Sequence, residues 1–143
     1  MRKVEVVIDQ SVKIEEPSRD TVMACSHVSN DRNRISSSLL IPSEHKKSLE
    51  GPGVKTCNSK KKYYIKMFSA GIFLLVKSSF KLLRGITIDR EYEGQNDLIK
   101  SHLTNFFLNY EGCDKREIPK IKFDYVHNKE DPLCHIIANE VGV

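Results

Sequence analysis

The sequence predicts a single α/β domain: a mixed five-stranded sheet, built as a three-strand antiparallel meander plus two parallel strands, flanked by helices. Three observations predict it. Val4, Val6, Val7 and Ile8 form a nearly continuous apolar run, as a strand covered on both faces requires. Two more strand-like runs follow before Pro42, joined by short turn signals. Beyond Pro42, helix-like and strand-like segments alternate, and parallel strands need such long crossovers.

In order, the first strand runs over 4–14, with Val12 and Ile14 alternating with Ser11 and Lys13. Pro17 and Asp20 mark a turn. The second strand covers 21–25, and a polar turn at 29–33 leads to a third over 35–41. Ser43 can cap a short helix ended by Gly51-Pro52-Gly53. Residues 55–62 read as a polar loop, within a flexible basic segment at about 43–62. Ile72, Leu75, Val76, Ser79, Leu82 and Leu83 fit helical spacing, so a buried helix is expected within 63–83. Its start, 63–68, is equally compatible with extended chain. Gly85 punctuates that helix, and Ile86-Thr87-Ile88 is the fourth strand. Asn96 or Asp97 can cap a helix carrying Ile99, Leu103, Phe106, Phe107 and Tyr110, ended by Gly112. A fifth strand is expected over 121–126, and Asp131-Pro132 opens a final helix. Right-handed crossovers then set strand one beside strand four, which brings Asp9 towards Asp89.

A chain of 143 residues is one domain with room for a real core. Its longest apolar run, at 70–76, falls far short of the roughly 20 residues of a membrane helix. Glu5 interrupts what would be the apolar part of a signal peptide. The expectation is a cytoplasmic protein with no membrane partner. Cys25, Cys57, Cys113 and Cys134 form no C-x-x-C pair, which disfavours a zinc knuckle and fits reduced, buried thiols. Between Ser43 and Lys62 six lysines face two glutamates, an excess equal to the chain's net charge of +4. Such a patch suits a phosphate backbone; a solvated lysine-rich loop is the plainer reading. Tyr63 and Tyr64 follow Lys60, Lys61 and Lys62 directly. Rings beside a basic cluster stack on unpaired bases while lysines track phosphates, or else pack in the core. No Gly-rich phosphate loop or G-x-S-x-G occurs.

The order of elements resembles the ribonuclease H-like superfamily. More closely, the stretches 7–16, 19–22, 69–75 and 85–92, with the tail, resemble a group of archaeal ribonuclease H-like nucleases acting on single-stranded DNA. That resemblance implies a metal-dependent nuclease with a two-metal-ion mechanism. Asp9 matches the first-strand aspartate, Asp89 the fourth-strand aspartate, and His135 the last ligand, on the final helix. Hard oxygen ligands suit Mg2+ or Mn2+. The superfamily's glutamate on the first helix has no clear counterpart. Glu44 and Glu50 lie outside the matched stretches, and Glu91 is the acid that would supply the missing charge.

Each residue also has a plainer role. Asp9 ends an apolar run and can bond a turn's N–H groups; the ligand role is favoured because the strand pattern resumes after it. Asp89 can be a strand-end turn residue, Glu91 a solvated charge and Asp131 an N-cap. His135, one helical turn after Asp131, can be a hydrogen-bonded interior histidine. The rival function is a non-catalytic module of the same fold that binds nucleic acid or a protein. Either function is compatible with a homo-oligomer.

Overall fold

The computed structural model describes residues 4–11, 18–27, 36–48, 57–90, 92, 94–110 and 113–124. Five strands, β1 (Val4–Gln10), β2 (Thr21–His27), β3 (Ser36–Ile41), β4 (Leu83–Asp89) and β5 (Lys120–Asp124), form one sheet in the order β3-β2-β1-β4-β5. β1 pairs antiparallel with β2, and β2 with β3. β4 runs parallel to β1 on its other side, and β5 parallel to β4. The five-stranded mixed sheet, the meander and the pairing of strands one and four all match the expectation.

Helix α1 (Ser43–Ser48) follows β3. The long helix α2 (Cys57–Val76) precedes β4, and α3 (Asn96–Asn109) bridges β4 and β5. Tyr64, Ile65, Phe68, Ile72, Leu75 and Val76 of α2 recur at helical spacing and share one core with Ile99, Leu103 and Phe107 of α3. The sheet offers Val6, Ile8, Met23, Cys25, Ile86, Ile88 and Ile121 to that core. These residues alternate along their strands, so they define the helix-covered face. Val7, Val22 and Ala24 point the other way and are also buried. From Val6 to Gln10, β1 is therefore enclosed on both faces, as its nearly continuous apolar run requires.

Four local expectations need correction. Residues 57–62 are the first turns of α2, not a loop: lysine is a good helix former, and lengthening an already nucleated helix is cheap. The same helix overrules the extended alternative for 63–68. It ends at Val76, and a 3-10 turn at Phe80–Leu82 leads into β4, which starts before Gly85 and contains it. The residue before α3 is Gln95, whose side chain makes no capping bond; neither Asn96 nor Asp97 is the cap. The strand continuation at 12–14 and the final helix after Asp131 lie outside the described residues. Among the described residues, no helix is long and apolar enough to cross a membrane.

Candidate active site

Ile8 of β1 pairs with Ile88 of β4, and each is followed by an aspartate. Asp9 and Asp89 thus stand at the carboxyl ends of adjacent parallel strands, about 4.8 Å apart across the ladder. By alternation both project from the face opposite the helices. They are nearly inaccessible, at 1% and 4% exposure. Carboxylates gathered at a buried strand end demand hydrogen-bond donors or a cation. One donor is local: the Gln10 N–H gives a 2.8 Å bond to Asp9 Oδ1.

The next strand adds a third carboxylate. Asp124 of β5 pairs in register with Asp89, and its carbonyl accepts the Arg90 N–H at 2.8 Å. Asp9, Asp89 and Asp124 therefore form a row across β1, β4 and β5. Asp124 was legible in principle, because Lys120, Lys122 and Asp124 alternate with the apolar Ile121 and Phe123. Glu91 and His135, the other expected ligands, lie outside the described residues. Among the described residues, no group of three or more His, Cys, Asp or Glu is gathered closely enough to hold a metal ion. Asp9 and Asp89 supply oxygen donors of the kind Mg2+ or Mn2+ takes, but they do not complete a ligand set by themselves.

Beneath the row, on the helix side, Gln10 is tied to Tyr92. The Gln10 amide donates to the Tyr92 hydroxyl at 2.9 Å. Tyr92 in turn packs on Phe68 of α2, ring centroids 4.9 Å apart. This link fastens the residue after Asp9 to the segment after Asp89. It also places the middle of α2, at Phe68, over the acid-bearing end of the sheet.

The expected nucleic-acid contacts sit on the first half of α2. Lys60, Lys61 and Lys62 lie in its first turns, and Lys61 and Lys62 are exposed. Tyr63 is half-buried, edge-on to Tyr64 at 5.8 Å. Tyr64 is a core residue, so it presents no ring for a base to stack on. The basic patch itself is smaller than its lysine count. Lys46 is fully buried, its Nζ donating to the Arg19 carbonyl at 2.7 Å and to Thr21 Oγ1 at 2.6 Å.

The thiols described show no catalytic character. Burial pushes the Cys25 thiol up to about 12, partly offset by a hydrogen bond with Ser37. Cys113 is raised by burial and then by Glu117 and Asp114. A nucleophilic cysteine needs the opposite shift.

No protein-family model matches the chain, and neither a curated protein nor a solved structure shows significant similarity to it.

Proposed function

We propose that the chain is a metal-dependent nuclease of ribonuclease H-like architecture that hydrolyses phosphodiester bonds, with single-stranded DNA as its first substrate class. The observation that carries this reading is the placement of Asp9 and Asp89. They are buried side by side at the carboxyl ends of the two central parallel strands, one residue past the Ile8–Ile88 pair. The sheet order also agrees with the resemblance, since strand one lies between strands two and four.

Asp9 and Asp89 would hold Mg2+ or Mn2+, with Glu91 and His135 as the remaining candidate ligands. Bound divalent ions supply a polarised phosphodiester and a water of lowered pKa. The chain's own contribution is to fix the acids. The β1–β4 ladder sets their separation, and the Gln10–Tyr92 bond holds the two strand ends together. Burial keeps competing water from the carboxylates. Lys61 and Lys62, exposed on α2, are candidate phosphate contacts.

The test is cleavage of a labelled single-stranded oligonucleotide during Mg2+ and Mn2+ titration. Asp9→Asn and Asp89→Asn are each expected to abolish cleavage. Their melting temperatures should be unchanged or higher, because neighbouring carboxylates repel without a cation. Full activity in either variant refutes the site. Binding without metal-dependent turnover in the unmodified protein favours the non-catalytic module instead.

A further inference from the structure

On the face that carries the acid row, burial is greatest at β2 and β1 and falls towards both edges; Leu40 of β3 is 50% exposed, but the buried β2 stands between it and the acids. Val22 and Ala24 of β2 and Val7 of β1 are buried, Thr87 of β4 is partly open, and Lys122 of β5 has a side chain 47% exposed. Asp9 and Asp89 are buried while Asp124 is exposed. The open approach to the acids is therefore from the β5 side.

That approach is basic. Lys120, Lys122 and Asp124 alternate on the acid face of β5, and the first two are exposed. A register shift adds a third cation. Val4 pairs with Leu83 but Glu5 pairs with Gly85, so Arg84 is an extra residue in β4. Leu83 stays in the core, and Arg84 turns out with its side chain 70% exposed. Bulges redirect side chains in this way. The Arg84 Nε lies 3.8 Å from Glu5 Oε1, and the Lys122 Nζ lies 3.3 Å from the same oxygen. Glu5 therefore faces two of the three cations, and with Asp124 this approach carries three cations against two carboxylates. The β4 positions beside Lys120 and Lys122 are Gly85 and Thr87, both small. No aromatic residue of β4 or β5 lies on this face; Phe123 packs against the core.

We infer that Arg84, Lys120 and Lys122 form the strip along which the phosphate backbone of a single-stranded nucleic acid reaches the acid row. This assignment rests on the nuclease reading for its destination but not for its binding. With cations and no rings among its described residues, the strip holds backbone and ignores base identity. Its signature is a salt dependence, because each phosphate neutralised on a single strand contributes about 0.7 to the slope of log K against log salt.

The experiment is fluorescence anisotropy of a labelled oligothymidylate, with EDTA present, across a salt series. Lys120→Ala/Lys122→Ala is expected to flatten the slope by about 1.4, two contacts at the single-strand value. Lys120→Arg/Lys122→Arg is expected to keep it, and the control Lys77→Ala/Lys100→Ala to stay near the unmodified protein. An unchanged slope in the double alanine variant overturns the strip. So does an equal loss in the arginine variant, or no binding by the unmodified protein. Asp9→Asn, assayed for cleavage alongside, separates the two claims. Cleavage that survives Asp9→Asn, or its absence from the unmodified protein, while the double alanine variant loses slope removes the proposed metal site and leaves the strip standing. The converse removes the strip alone.

Discussion

Cys25 shows how far a single residue's surroundings depart from its sequence context. It pairs with Ile8 across β1 and β2, in the core beneath α2, where burial outweighs the help a thiolate receives from Ser37. Its folded pKa of about 12 lies above the ordinary value of 9.0. A group held protonated in this way stabilises the fold fully below pH 9.0, and that contribution is lost as pH rises towards 12. The expected outcome is a decline in unfolding free energy across that window that is smaller in Cys25→Ala than in the unmodified protein. Alkylation of native protein near neutral pH, read by peptide mapping, should spare Cys25. The sequence suggested a buried thiol at each cysteine, because free cysteine behaves as a small hydrophobe. Lys46 went the other way. A lysine in a lysine-rich stretch reads as solvent-facing, yet this one is enclosed. Its two acceptors, the Arg19 carbonyl and Thr21, sit at the start of β2, far away in sequence. Only tertiary contact reveals such a position.

At the scale of elements, α2 is where sequence and structure part most. Its apolar half was legible because Ile72, Leu75 and Val76 repeat at helical spacing. Its first turns were not, because exposed lysines carry propensity without periodicity. The strands were clearer, since each is a short run with apolar residues that is set off by turn or loop signals. Asp9 and Asp89 were placed correctly because the strand pattern that contains them is strong. Asp124 fell inside the strand expected over 121–126, but its register beside Asp89 is set by tertiary pairing that the sequence does not show. The packing of α2 on the sheet depends on Gly71. A Cβ there would lie 2.5 Å from Met23 Sδ and 3.5 Å from Leu39 Cδ2. Alanine gains about 1 kcal/mol in helix propensity, while overpacking a filled core costs about 1–3 kcal/mol. Met23 is flexible but fully buried, with little room to move aside. Gly71→Ala is therefore expected to be destabilising by roughly 1 kcal/mol, seen as a lower urea midpoint with an unchanged slope.

For the whole molecule, the sheet order decides which parts open first. β1 and β4 are central, each paired on both sides, whereas β3 and β5 end the sheet among the described residues. Amide exchange in native protein should be slowest in β1 and β4 and markedly faster in β3, because interior strands open only with the whole fold. Equal protection in β3 and β1 would contradict this hierarchy. The same order has a consequence during synthesis. The first three strands leave the ribosome together, but the parallel partner of β1 is not made until α2 has been translated. Until then one flank of an apolar strand has no neighbour to pair with, and an open strand flank is a template for sticking to other chains. Nascent chains arrested just before β4 should therefore associate with holdase chaperones, and chains extended beyond it should be released.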